Sequence, residues 1–132
     1  MNQTNETPEQ SVARWKKNFE KLDKIDWENN LQAFSKTLEG IPELLTLARK
    51  KDRTPVENAL MVRTVPKLQE AFQVYKDYEF VLEKKLEMEP DEKYRNIKIR
   101  FDKLARDAED SFREVFKVYL KDISANLGAF NH

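Results

Sequence analysis

The sequence contains no cysteine, only two glycines and a single histidine, and each shortage excludes a class of protein. Without cysteine there can be no disulfide and no thiolate nucleophile or metal ligand. The histidine is the last residue, His132, so acid–base catalysis by histidine and nearly all zinc sites are excluded as well. Two isolated glycines, Gly40 and Gly128, cannot build a loop that cradles phosphates. These absences indicate a protein that is not an enzyme and that holds no cofactor or metal.

The chain also lacks a long apolar run and an excess of charge of either sign. No run approaches the roughly 20 residues of a membrane-spanning helix, and the polar N-terminus shows no signal peptide. The 24 basic and 24 acidic residues cancel, which disfavours non-specific binding to nucleic acid. We therefore expect a soluble, cytoplasmic protein whose partners are other proteins.

The sequence is instead rich in charged residues, and its apolar residues follow the periodicity of helices. Charged residues make up 36% of the chain, above the roughly 25% of a typical domain. Apolar residues recur at spacings of three and four, which is typical of helices with one buried stripe. Two Thr-Pro pairs, Thr7-Pro8 and Thr54-Pro55, have the character of helix starts. The pattern predicts a disordered N-terminus over 1–6, one helical domain over 7–127 and a tail over 128–132. Within the domain it predicts four helices, at 8–24, 27–51 (kinked at 40–42), 55–88 (kinked near 66) and 91–126.

The last two predicted helices dominate the chain. The helix over 91–126 keeps its apolar spacing without a break from Tyr94 to Ile123. Its neighbour over 55–88 is of similar length, and a short turn joins the two, which makes them antiparallel. The sequence therefore predicts an all-α fold, an antiparallel helical bundle or rod of about four helices, dominated by a long C-terminal helical hairpin.

A second apolar line runs along the helix over 55–88. Val74, Val81 and Met88 recur every seven residues with Tyr78 alongside, on a different side from the stripe that faces the hairpin. A helix with two apolar faces has two neighbours. Either an earlier helix of the same chain covers this face, or a helix of another chain, a second copy included, packs there as in a heptad seam. Val74, Tyr78, Val81 and Met88 are the candidate partner-binding residues.

The hairpin also has two polar features that could contact another helix or a partner, a glutamate in an apolar stripe and a basic face. Glu79 falls within the apolar stripe of the helix over 55–88, either at its edge, beside a basic residue of the next helix, or as a polar contact that fixes the register of the hairpin. The helix over 91–126 carries a basic face, which is either a solvated surface or a contact for an acidic partner or an anionic membrane. Its residues are Arg95, Lys103, Arg106, Arg113, Lys117 and Lys121.

Two stretches of the last helix carry a family resemblance. Ile97-Lys98-Ile99-Arg100-Phe101, followed by Ala108-Glu109-Asp110-Ser111-Phe112-Arg113, resembles the phosphoinositide-binding subunit of the exocyst, a vesicle-tethering complex. The stretch from Lys67 to Tyr75 resembles a helix of the same subunit. Ala108 and Ser111 stand where that family has leucine and glutamate. The resemblance implies a segment of the N-terminal helical rod of a tethering subunit, without its membrane-binding end.

Two functions of different kinds follow from these features. The first is a non-catalytic protein–protein interaction module, as a rod segment of a tethering-type assembly, with the second face of the helix over 55–88 or the hairpin ends exposed. The second is a stand-alone helical adaptor, inhibitor or immunity-type binding protein, with both faces of that helix covered by its own chain.

Overall fold

The computed structural model describes residues 6–124, and four of the five α-helices in this range begin at a residue whose side chain caps them. Helix α1, Pro8–Leu22, and helix α4, Pro55–Met88, each begin with a reciprocal capping box. The hydroxyl of Thr7 accepts from the backbone amide of Gln10, and the hydroxyl of Thr54 accepts from the backbone amide of Glu57. In return, the side-chain oxygens of Gln10 and Glu57 accept from the backbone amides of the two threonines. The Thr-Pro pairs are therefore confirmed as helix starts. The predicted disordered stretch 1–6 and tail 128–132 lie outside the described residues, except for Glu6.

The predicted kink at 40–42 is a break between two helices. Helix α2 spans Trp27–Leu38, and its N-cap Asp26 accepts from the Asn29 amide. Helix α3 spans Ile41–Ala48, with Pro42 in its first turn. Pro42 has no N–H to donate to the Leu38 carbonyl, and Gly40 two residues earlier also disfavours a helix interior, so the chain breaks here although α4 continues through Pro66. Helices α1 and α3 end two or three residues before the predicted 24 and 51.

The C-terminal hairpin is formed by two long helices. Helix α4 has 34 residues, about 51 Å at 1.5 Å per residue, and stays helical through Pro66. Helix α5 spans Glu92–Val118, and a π-helical turn, Tyr119–Ser124, continues it. Residues 125 and 126, where the last helix was expected to end, lie outside the described residues.

The core lies along the hairpin and beneath α2 and α3. Met61, Val65 and Leu82 of α4 and Val115 of α5 are fully buried. Helix α3 lies against α5, and its Ile41 and Leu44 are 2% exposed. The expected fold class is confirmed: the described residues are all-α, with α4 and α5 packed together and no strand. None of the helices between residues 6 and 124 is both long enough and apolar enough to cross a membrane.

Candidate functional site

An open apolar groove of about 330 Å³ lies between α2 and α4. Four aromatic rings form its floor, from Phe34 of α2, Tyr75 and Tyr78 of α4, and Phe101 of α5. Val74 stands at its edge with 43% of its surface exposed. Apolar grooves lined by aromatic rings are typical docking sites for amphipathic helices.

The groove exists because large side chains alternate with small ones on the two facing helices. The Phe34 ring lies 5.8 Å from the ring of Phe72 and 5.7 Å from that of Tyr75, which keeps the backbones of α2 and α4 apart. Above these rings the facing residues are small: Ala33 and Thr37 on α2 and Ala71 on α4. Their short side chains leave the space over the rings unfilled.

The four candidate partner-binding residues differ in how much of their surface is exposed: three are half-buried and one is exposed. Tyr78 is half-buried: its ring lies 5.1 Å from that of Trp27, and its hydroxyl donates to Asn30 Oδ1 over 3.1 Å. Val81 and Met88 are half-buried against the core. Only Val74 is exposed. The second apolar face of α4 is thus covered by its own chain toward the C-terminal end, and open at the groove.

Helix α1 covers a neighbouring part of α4 through aromatic side chains. The Trp15 ring lies 5.9 Å from the ring of Phe80, and Lys84 Nζ lies 5.7 Å from the Trp15 ring. Phe80 nevertheless remains 61% exposed, and Val12 remains 41% exposed. Phe19 and Leu22 are the buried residues of α1, and the rest of the helix is at least partly exposed, so α1 lies at the periphery of the bundle.

All six residues of the predicted basic face are exposed on α5 and its π-helical extension. Three of them pair with carboxylates of the same helix: Arg95 with Glu92, Lys103 with Asp107, and Arg113 with Glu109. Arg106 stands at the edge of a recess between α4 and α5, and Lys117 and Lys121 follow toward the C-terminal end. Half of the cations on this face are therefore paired with a carboxylate of their own helix.

Glu79 does not meet a basic residue directly; it meets a tyrosine and a second carboxylate. The Tyr75 hydroxyl lies 2.9 Å from Glu79 Oε2 and 2.8 Å from Asp102 Oδ1. Lys98 Nζ donates to the other oxygen of Asp102 over 2.7 Å. These four side chains form the polar network that connects α4 to α5.

The network shifts the pKa values of its members in opposite directions. Burial and the neighbouring Asp102 raise the pKa of Glu79 above its ordinary value. Burial acts to raise the pKa of Asp102 too, but hydrogen bonds from Lys98 and Tyr75 prevail and lower it. Burial, followed by the two carboxylates, raises the pKa of the Tyr75 hydroxyl. The folded structure therefore favours the ionised form of Asp102 and disfavours that of Glu79.

Sequence reasoning missed the α2 side of the groove and the partner of Glu79. Ala33 and Thr37 carry no signal of their own, since a small residue on a helix surface is ordinary. Asp102 lies one residue beyond the buried Phe101 and could have been placed at the edge of the stripe, but which residue of α4 it faces depends on the hairpin register.

Between residues 6 and 124, no group of three or more carboxylate or histidine side chains is placed to hold a metal ion. Comparisons of the chain with protein-family models, with curated proteins and with solved structures find no match.

Proposed function

We propose that this chain is a non-catalytic protein–protein interaction module that receives an amphipathic helix of a partner protein in the groove between α2 and α4. The observation that carries the proposal is Val74, an apolar residue exposed at the edge of a groove with an aromatic floor. A valine in this position loses contact with water when an apolar side chain of the partner covers it. The rings of Phe34, Tyr75 and Tyr78 then form the surface on which the partner rests.

The charges along α4 indicate what the partner helix carries. Lys67 and Glu70 line the groove, and Arg63 lies about one turn before Lys67 on the same helix. Arg63, Lys67 and Glu70 are exposed and have no ion-pair partner among the described residues. The fitting occupant therefore has apolar side chains for the floor, carboxylates opposite Arg63 and Lys67, and a basic residue opposite Glu70.

The length of the available surface also fits a helix. Two more apolar residues, Leu60 and Val56, are 38% and 78% exposed toward the N-terminal end of α4. From residue 56 to residue 74 the helix rises by about 27 Å, at 1.5 Å per residue. A partner helix of about five turns matches this length.

The Val74→Asp variant tests the proposal. A photo-reactive diazirine residue in place of Val74 first identifies the partner in cells, with the same residue in place of Ile99 as the matched control, since Ile99 is 57% exposed on α5. Binding of the purified partner is then measured by calorimetry. We expect Val74→Asp to weaken binding at least about tenfold, because a buried unpaired carboxylate costs more than 1.4 kcal/mol.

The matched variant Ile99→Asp should bind like the wild type, and both variants should keep the wild-type melting temperature, since both sites are exposed. If the partner bound Val74→Asp and Ile99→Asp equally well, the groove would not be its docking site.

The exposed N-terminal end of α4 favours a second candidate, a rod segment of a tethering-type assembly. Val56 lies in the first turn of α4, at the end of the hairpin, and is largely exposed. Neighbouring segments of a helical rod stack through such ends. Crosslinks that form from position 56 and not from position 74 would favour this function.

A further inference from the structure

The polar network between α4 and α5 contains three oxygens that compete for one proton. The Tyr75 hydroxyl lies within hydrogen-bonding distance of both Glu79 and Asp102, yet it has a single hydrogen to donate. If both carboxyl groups were ionised, one of them would face a lone pair of the tyrosine oxygen. A second proton removes that repulsion, because the protonated carboxyl group donates to the tyrosine oxygen while the tyrosine donates to the remaining carboxylate.

The surroundings decide which carboxyl group takes that proton. Asp102 accepts from Lys98 over 2.7 Å, and this cation favours its ionised form. Glu79 has no such donor, and the charges of Asp102 and Glu83 act against its ionisation. Lys76, Arg106 and Glu109 also line the recess in which the network lies, two cations and one anion, and none has a hydrogen bond to Glu79 among the described residues.

Tyr75 links this network to the groove on the other side of α4. Its ring stacks on Phe34 of α2 with 10° between the two planes, and it forms part of the groove floor. Its hydroxyl is the central oxygen of the network. The position of one ring of the groove floor is therefore held by a hydrogen bond between the Tyr75 hydroxyl and Glu79, whose carboxyl group can gain or lose a proton.

We propose that Glu79, Tyr75 and Asp102 form a proton-dependent latch between α4 and α5, in which Glu79 holds a proton shared with Tyr75 while Asp102 stays ionised. The latch is closed while Glu79 is protonated, with two aligned hydrogen bonds between three oxygens. Loss of the proton leaves two carboxylates around one hydroxyl, and their repulsion loosens the contact between α4 and α5 behind Tyr75.

The pH dependence of stability follows from the direction in which folding shifts the pKa of each carboxyl group. A glutamate whose pKa is raised by folding binds its proton more tightly in the folded state, so its contribution to stability is present at low pH. That contribution is lost as the pH rises through the raised pKa of Glu79. The pKa of Asp102 is shifted in the opposite direction, so its contribution to stability is present above its ordinary pKa and is lost at lower pH.

The Glu79→Gln variant isolates the latch, because glutamine cannot lose a proton and keeps both hydrogen-bonding groups. We expect its melting temperature to match that of the wild type below about pH 4, where a glutamate is protonated, and to exceed it increasingly as the pH rises toward neutrality. Glu87→Gln is the matched control, an exposed glutamate of the same helix, and should follow the wild-type profile at every pH. A constant difference between Glu79→Gln and the wild type, or none at any pH, would overturn the proposal.

A carboxyl-carbon NMR titration tests the assignment of the proton directly. In the wild type Glu79 should titrate above the ordinary glutamate range, and in Asp102→Asn its midpoint should fall back toward that range, since the opposing charge is gone. If Glu79 titrates in the ordinary range in the wild type, or if Asp102→Asn leaves its midpoint unchanged, the two groups do not share a proton and the latch does not exist.

Discussion

Replacing Trp27 with alanine should lower the free energy of unfolding by about 3–5 kcal/mol, the usual cost of deleting a large buried aromatic side chain. Trp27 begins α2 and is 6% exposed. Its ring contacts Tyr78 of α4 and both Tyr94 and Phe101 of α5, at centroid distances of 5.1, 6.3 and 6.1 Å. One side chain thus fixes α2 on both helices of the hairpin. Chemical denaturation followed by circular dichroism measures the loss.

Trp27→Phe is the control for that measurement. It keeps an aromatic ring but loses the indole N–H, which donates to the Leu22 carbonyl over 2.9 Å. That carbonyl still accepts from the Ile25 amide, so the variant should lose only about 1–2 kcal/mol. A Trp27→Ala variant within about 1 kcal/mol of the wild type would show that α2 does not pack on the hairpin as described.

The second large effect is expected at Arg53, in the loop between α3 and α4. Its side chain is 9% exposed. The guanidinium donates to the carbonyls of Leu47, Ala48 and Lys50, at the end of α3, over 3.0 to 3.3 Å. It also donates to Asn58 Oδ1 in the first turns of α4 and to Asp122 Oδ2 beyond α5. The carbonyls at a helix end lack the full set of helical donors, and here one arginine donates to several of them, while the Leu47 carbonyl also accepts from the Lys50 backbone amide.

We therefore expect Arg53→Ala to lower the free energy of unfolding by about 2–4 kcal/mol, because it removes a largely buried guanidinium whose hydrogen bonds join the end of α3 to Asn58 and Asp122. Arg49→Ala is the matched control. Arg49 lies four residues earlier and forms a two-pronged ion pair with Glu114, but its side chain is 63% exposed. Its loss should be clearly smaller and should shrink further at high salt. Equal losses for the two variants would contradict the role assigned to Arg53.

The parts of this fold that the sequence predicts well are those set by neighbours along the chain. The two capping boxes depend on residues three positions apart, and the stripe from Tyr94 to Val115 depends on spacings of three and four. The interruption at 40–42 is also local, because Gly40 and Pro42 both disfavour a helix interior, although the sequence predicted a kink there and the structure has a break. The hairpin follows from two long helices and a short turn.

The candidate site is harder to predict because it depends on distances between helices. Whether Val74 is covered depends on how far α2 stands from α4, and the rings of Phe34 and Tyr75 determine that distance. The spacing that drew attention to Val81 and Met88 is the same spacing that brings them against the core of their own chain. Likewise, Glu79 looks unusual in the sequence, but its partner Asp102 is known only once the register of α4 against α5 is fixed.

The central claim is that the second apolar face of α4 is covered by its own chain toward Met88 and open at Val74. It is tested most directly by the broadening of valine methyl NMR signals by a soluble gadolinium chelate. The described chain offers internal references, since Val65 and Val115 are 0% exposed, whereas Val12 is 41% and Val74 43% exposed. We predict that the Val74 signals broaden as strongly as those of Val12, that those of Val81 broaden less, and that those of Val65 and Val115 stay sharp. Val74 signals as protected as those of Val65 would contradict the account, because the groove would then already be filled in the free protein.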